Sequence, residues 1–264
     1  MPALRDLRGK TAIVTGASSG IGRLLSLRLA RGGARVGLVA RRHDELEQLA
    51  TEIRRAGGSA SAFACDVADR EQVFAVAETA SRELGPVDLL VNNAGYGRHR
   101  QFLEWEIGDI ERLLQVNVLG SIYWTKALLP AMVERGSGWI VFMASVAGRI
   151  GVPDESAYVA SKFALVGLAE SLSLEVEDAG VHVLTVCPGA VDTPFFDEEA
   201  RGRMPATAQK TMIRPEAVVD ATLEALASGR HEVTVPRFIT AGYVVRALAP
   251  GLMRRSVKRT TRRP

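Results

Sequence analysis

The chain has 264 residues, 47% of them apolar and 24% charged, and carries a formal net charge of +3. That length allows one large α/β domain or two small ones, and the composition is that of a globular protein, not a disordered or fibrous one. The charge is unevenly placed: from Val233 onward there are eight basic residues and no acidic one, so the preceding part carries −5 and a nucleic-acid footprint spread over the fold is excluded.

The first ten residues lack the apolar core of a signal peptide and no run of 18 apolar residues follows, so a cytoplasmic protein without a spanning helix is expected. Residues 11–15 are a short β-branched run suited to one buried strand. They lead into Gly16-Ala17-Ser18-Ser19-Gly20-Ile21-Gly22, after which Leu24, Leu25, Leu27 and Leu29 begin a helical pattern. Three glycines between a strand and a helix permit a tight turn and let backbone N–H groups approach a pyrophosphate. Residues 16–20 also match the Gly-x-Ser-x-Gly elbow of serine hydrolases, but that elbow needs earlier strands to supply an oxyanion loop, and only a short segment precedes it. A P-loop is excluded because no Gly-Lys-Ser/Thr follows at the required spacing.

Residues 34–40 read as a second strand ending in Arg41 and Arg42. A site for NAD(H) calls for an acid here to hold the ribose 2′-OH, yet none occurs between Gly22 and Asp44. The two arginines offer planar donors for a 2′-phosphate, which favours NADP(H). The alternative is a solvated loop, with Asp44 or Glu45 reaching the ribose of NAD(H). A helix over 44–56 leads to a third strand over 59–65, followed by Asp66-Val67, where a carboxylate can meet an adenine amino group. Asp69 with Gln72 resembles a capping box for the next helix. A fourth strand over 87–91 ends in Asn92-Asn93-Ala94-Gly95, small and polar as a strand edge beside a cofactor requires.

A long helix is predicted over 110–134, with Asn117 as a lone polar residue on its apolar face. A fifth strand over 139–144 delivers Ser145. Beyond a loop, Tyr158 and Lys162 are four residues apart and share one face of the next helix. An ammonium beside a phenol favours the phenolate, which would bring tyrosine toward neutral proton transfer. A sixth strand over 181–187 is followed by Pro188-Gly189, a weakly periodic segment over 195–212 fits a lid, Pro215 can open a helix, and 231–235 make a seventh strand. Cys65 and Cys187 end apolar runs without Cys-x-x-Cys spacing and are read as buried free thiols, and the four histidines show no metal-ligand spacing. Strands alternating with helices predict a doubly wound α/β (Rossmann) domain over residues 1–236, with a seven-stranded parallel sheet and helices on both faces. Every polar feature above then falls at the carboxyl ends of the strands, where such sheets bind ligands.

Thr15-Gly16-x-x-x-Gly20-x-Gly22, Asp66-Val67, Asn92-Asn93-Ala94-Gly95, Asn117, Ser145, Tyr158-x-x-x-Lys162 and Pro188-Gly189 with Thr193 occur in the order and spacing of one family. Over residues 8–236 the chain resembles the short-chain dehydrogenase/reductases. The resemblance implies a catalytic set of Asn117, Ser145, Tyr158 and Lys162. Tyr158 would protonate the carbonyl oxygen while NADPH delivers hydride, Ser145 would hold that oxygen, and Lys162 would lower the Tyr158 pKa and hold the nicotinamide ribose. Asn117 would hold a water, and Thr193 with the backbone near Ala190 and Val191 would meet the carboxamide. It also implies a homodimer or homotetramer through the helices over 110–134 and 157–177. One departure matters: NADP-dependent members often carry a basic residue at the position of Ser19, so here Arg41 and Arg42 must carry the preference.

Tyr96, Val146, Ile150, Val152, Phe195 and Phe196 lie beside the catalytic positions and suggest a hydrophobic carbonyl compound or alcohol as substrate, with ordinary loop packing as the alternative. His99, without an evident partner carboxylate, is read as a surface residue. Residues 237–264 form a C-terminal extension, apolar over 238–253 and basic beyond. This suggests peripheral contact with an anionic membrane; the alternative is a helix covering the cleft with a solvated end. A cofactor-binding regulatory protein with little catalysis is the competing function.

Overall fold

The computed structural model describes residues 3–195, 202 and 212–260. Strands β1 (Thr11–Thr15), β2 (Arg35–Ala40), β3 (Ser59–Ala64), β4 (Leu89–Asn92), β5 (Gly138–Met143), β6 (Val181–Pro188) and β7 (Glu232–Val235) form one parallel sheet in the order β3-β2-β1-β4-β5-β6-β7. The chain builds outward from β1 to β3, crosses back to β4 on the other side of β1, and continues to β7. At that reversal the crossovers on either side leave in opposite directions, so a crevice opens at the carboxyl ends of β1 and β4.

The strands are apolar runs, not alternating ones, because both sheet faces are covered. Every residue of β1, β5 and β6 is buried. On one face, α1 (Gly20–Arg31), α2 (His43–Arg55) and α7 (Pro215–Ser228) bring Leu25, Leu29, Leu46 and Val218 onto the sheet. On the other, α3 (Arg70–Leu84), α5 (Gly120–Glu134) and α6 (Ser156–Val176) pack Val73, Trp124, Leu128 and Leu165 against Ile13 and Phe142. Pro215 occupies the first turn of α7, where its missing N–H has no partner to lose. Cys65 and Cys187 are buried free thiols, as the sequence suggests.

Two local expectations change, and a third lies outside the described residues. The helix predicted over 110–134 starts earlier, as α4 (Ile107–Leu114), and passes through a π turn at Gln115–Leu119 before α5. The widened turn carries Asn117 inward, where its amide is hydrogen-bonded to Tyr96 and Ser161. At Asp69 only half of the capping box forms. Its carboxylate accepts the Gln72 N–H at 3.1 Å, but Gln72 Oε1 accepts from the Asp66 N–H instead. The lid expected over 195–212 lies, apart from its two ends and Gly202, outside the described residues, as does Phe196.

After β7 a short turn at Arg237–Ile239 leads to α8 (Thr240–Leu248) and α9 (Pro250–Thr260), which pack on each other. Among the described residues no helix is long and apolar enough to cross a membrane.

At the amino edge of the sheet, Gly180 has φ of 73°, and an added Cβ would fall 2.3 Å from the Gly136 carbonyl oxygen, whereas Gly57 has φ of 83° and open space around it. Gly57→Ala should cost about 1 kcal/mol from the left-handed backbone alone, and Gly180→Ala about 2 kcal/mol more from the clash. Urea unfolding of the two variants checks this, and equal losses would mean the two loops are not in contact.

Candidate active site

The crevice at the carboxyl ends of the strands is a cleft of about 1020 Å³. At its floor the end of β1 is stitched to the end of β4. Thr15 Oγ1 donates to the Val91 carbonyl and accepts the N–H groups of Asn93 and Ala94, both at 3.0 Å. Asn93 Nδ2 in turn donates to the Thr15 carbonyl at 2.9 Å and to that of Gly16 at 3.3 Å. Gly16, with φ of 66°, sits so close that an added Cβ would fall 2.9 Å from Ala94 Cα. Gly22 lies behind the loop, buried, where a Cβ would meet the Gly16 carbonyl oxygen at 2.3 Å; it shapes the loop and does not line the cleft. Gly16, Ser18, Ser19, Gly20 and Ile21 do line it. Ser19 caps α1 without a side-chain hydrogen bond, and the first turn carries no acid, so the positive end of the helix faces the cleft uncompensated.

At the end of β2, Arg41 and Arg42 both line the cleft but are not equivalent. Arg42 donates to Ser18 Oγ at 3.0 Å and pairs with Glu45 at 2.7 Å, while Arg41 makes no side-chain hydrogen bond among the described residues. Asp66, just beyond the end of β3, lines the cleft with Val67. Burial pushes its carboxyl up, but the Ala68 N–H, the Arg112 guanidinium and the charge of Arg41 outweigh this and hold it below the usual carboxylate range. Arg112, from α4, pairs directly with Asp66 and lines the cleft; nothing in its local sequence singled it out.

Ser145 leaves β5 with its Oγ accepting the Ala147 N–H at 3.1 Å and reaching the Pro188 carbonyl at 3.4 Å. Tyr158 and Lys162 face the same cleft from the first two turns of α6. Lys162 is only 4% exposed; its ammonium donates to the Met143 carbonyl at 2.8 Å and lies 5.6 Å from the centre of the Tyr158 ring. Burial draws Lys162 down to about 8. Burial and the Glu155 carboxylate push the Tyr158 phenol well above its ordinary value, only partly offset by the Ser145 hydroxyl. The expected lowering of the Tyr158 pKa by Lys162 is therefore not what this site displays. The ammonium turns to a carbonyl and the ring face, desolvation dominates, and the phenol is held neutral.

Asn117 is fully buried and does not line the cleft. Its Oδ1 accepts the Tyr96 N–H at 3.0 Å, and its Nδ2 donates to the Tyr96 carbonyl at 2.9 Å and to Ser161 Oγ at 3.0 Å. Ser161 Oγ donates onward to the Tyr158 carbonyl at 2.7 Å. Both amide hydrogens and one lone pair of the amide oxygen are engaged in pinning the Gly95–Tyr96 loop against α6. Gly95 is closely packed: a Cβ would lie 3.1 Å from Asn117 Oδ1, which would have to give by a few tenths of an ångström, and at ordinary contact, 3.6 Å, from Lys162 Nζ. Asn93, Ala94, Pro188, Gly189, Val191 and Thr193 complete the walls, with Thr193 packed over Gly20.

Beyond Tyr158 the cleft is bounded by Tyr96, Val146, Val152 and Phe195, whose ring centre lies 5.7 Å from that of Tyr158. Ile150 is buried against α8 instead, near Gly242. His99 is not a surface residue: it lines the cleft, and its Nδ1 lies 2.8 Å from Glu155 Oε1, both side chains being largely buried. The pairing joins residues 56 positions apart, and the only hint was an acid three residues before Tyr158.

A model of the short chain dehydrogenase family matches residues 10–203. The chain is 36% identical over 232 residues to ketoacyl reductase HetN of Nostoc sp., covering 88% of this chain and 80% of that one. It is also 36% identical over 255 residues to the 3-ketodihydrosphingosine reductase of Bos taurus, covering 93% and 76%. A short-chain dehydrogenase/reductase from Burkholderia phymatum, solved in complex with NAD, superposes with a TM-score of 0.85 at 28% identity, covering 94% of this chain and 96% of that one. With one family spanning the sheet, the glycine loop and the Tyr158–Lys162 helix, this chain belongs to the short-chain dehydrogenase/reductases, oxidoreductases that interconvert CH–OH and C=O groups.

Proposed function

We propose that the protein reduces a carbonyl group on a hydrophobic small molecule with NADPH, or oxidises the matching secondary alcohol, with Tyr158 as general acid/base. The observation that carries this reading is the convergence of Ser145 and Tyr158 on the cleft that the glycine loop and Arg41 also line. The walls fit a dinucleotide. The Gly16 to Ile21 loop presents backbone and an open helix end to a pyrophosphate, Asp66 suits an adenine amino group, and Arg41 suits a 2′-phosphate. When bound, the nicotinamide supplies or accepts the hydride.

The protein's own groups handle the proton. A neutral Tyr158 is the form that donates to a carbonyl oxygen as negative charge develops there, and the Ser145 hydroxyl beside it fixes where that oxygen sits. Lys162 keeps a positive charge under the site up to a pH of about 8 and would hold a ribose hydroxyl of the cofactor. Asn117 acts through position, holding Tyr96 and the start of α6 together. Both relatives named above are reductases of keto compounds, which supports the reductive direction. The Burkholderia phymatum neighbour holds NAD; here the preference for NADP(H) rests on Arg41, with Arg42 committed to Ser18 and Glu45. Exposed Leu119, Val133 and Leu174 on the α5 and α6 side support a homodimer or homotetramer. The C-terminal extension is assigned peripheral contact with an anionic membrane.

Tyr158→Phe is expected to lower kcat/KM for carbonyl reduction by about 1000-fold while leaving NADPH affinity within about threefold, measured by nicotinamide absorbance and fluorescence titration across a ketone panel. Retained turnover in this variant would assign the proton to another group. Arg41→Asp should weaken NADPH binding about 100-fold and NADH binding only slightly, and equal effects would reject the 2′-phosphate contact. In the pH profile, kcat/KM for reduction should fall as pH rises through about 8, where Lys162 loses its proton. Alcohol oxidation needs the phenolate, so Glu155→Gln, by removing the anion that raises the phenol, should move its rising limb to lower pH. A shift in the other direction would contradict the electrostatic account.

A further inference from the structure

The turn after β7, α8 and the start of α9 leave apolar side chains in solvent: Phe238, Val244, Val245, Leu248 and Leu252 are exposed, Phe238 at 74% and Leu248 at 81%. Along α8 the positions 241, 244, 245 and 248 follow the three- and four-residue spacing of one helix face. The opposite face is already used. Ile239 lines the cleft, Gly242 lies against Ile150 and Met253, Tyr243 meets Thr234 Oγ1 at 3.3 Å, and Arg246 lies over the Phe163 ring at 5.1 Å. The face turned to the body carries Gly242, Tyr243 and Arg246 and no residue of the helix is buried, so its apolar side chains all lie on the solvent side, where they require a second apolar medium.

The charges beside the stripe say which medium. Arg237, Arg254, Arg255, Lys258 and Arg259 are exposed, none pairs with a described carboxylate, and no acid occurs from Val233 to the end of the chain. A second copy of the same face would bring like charges together. An anionic bilayer offers apolar interior beside negative headgroups, which matches an apolar stripe flanked by cations. The stripe also begins at the cleft, since exposed Phe238 adjoins Ile239 in its wall. We propose that α8 and α9 seat the mouth of the cleft on an anionic lipid surface, and that the carbonyl compound reduced is one residing in that surface. The second half rests on the reaction proposed above, and it deepens the membrane contact assigned there by fixing which face docks and where the cleft opens.

The test uses the full chain and sedimentation with phosphatidylcholine vesicles with or without phosphatidylserine. Partition should be about tenfold greater on the anionic vesicles and should fall with added salt. Leu248→Asp with Leu252→Asp, and separately Arg254→Glu, Arg255→Glu, Lys258→Glu and Arg259→Glu together, should each lower it about tenfold while NADPH oxidation with a water-soluble ketone is retained. Both variants alter exposed positions, and retained soluble turnover reports that they are folded. The Leu248/Leu252 variant should also reduce a long-chain ketone embedded in vesicles about tenfold more slowly than the parent. Failure of the parent to bind anionic vesicles, unchanged partition in both variants, or binding to polyglutamate without vesicle binding, which would indicate an acidic protein partner, overturns the proposal. If the parent binds vesicles yet reduces neither ketone, the reaction is wrong while the lipid seat is upheld by sedimentation.

Discussion

The site depends on how closely the end of β1 can approach the end of β4. Two adjacent parallel strands whose chains depart in opposite directions leave backbone N–H and C=O groups that no ladder satisfies, and buried groups of that kind must be paired. Here one hydroxyl and one amide do the pairing: Thr15 Oγ1 accepts two N–H groups, and Asn93 Nδ2 caps the carbonyls of Thr15 and Gly16. That arrangement closes only if residue 16 has no side chain, since a Cβ there would collide with Ala94. The cofactor loop is thus a consequence of strand packing, and the cleft exists because the two strand ends are held together while the chains above them diverge.

The proton chemistry proposed for the cleft rests on a conflict that the fold keeps from relaxing. Lys162 is buried and Tyr158 half-buried at the cleft wall, and removal from water opposes charge on each, raising one pKa and lowering the other. Left to themselves the two would both tend toward neutrality. The Met143 carbonyl gives the ammonium a partner, and the Ser145 hydroxyl is the one group that pulls the phenol back toward ionisation. Asn117 holds the platform on which this balance sits, through Tyr96 on one side and Ser161 to the Tyr158 backbone on the other. The π turn is how a helix residue obtains that reach without breaking the packing of Trp124 and Leu128 a few residues on.

Most of the sheet and the outline of the site could be read from residue order alone, and the reason is physical. Buried parallel strands are apolar runs of limited length, glycines are placed where a side chain would collide, and Ser145, Tyr158 and Lys162 sit at strand and helix ends that topology forces to one edge. What could not be read depends on distances between remote residues. Arg112 reaches Asp66 across 46 positions and His99 reaches Glu155 across 56, and neither sequence neighbourhood differs from that of a solvated charge. The direction of the Tyr158 shift is hidden for the same reason: spacing of four shows that an ammonium is near but not that it turns to Met143 or that burial outweighs it.

The C-terminal extension shows a different kind of legibility. Its apolar and basic halves are plain in the sequence, but composition alone leaves two readings, a cover for the cleft and a lipid contact. The geometry bears on both, because Ile239 in the turn before α8 lines the cleft and Gly242 lies against Ile150 and Met253, while α8 carries its apolar side chains outward. A cover alone would be polar outside, as α2 is, where Asp44, Glu45 and Gln48 face water opposite buried Leu46, Leu49 and Ile53. Since the same chain builds an ordinary amphipathic helix at α2, the outward apolar face of α8 is a property of that element and not of the chain's general composition, and the turn that leads into it borders the cleft.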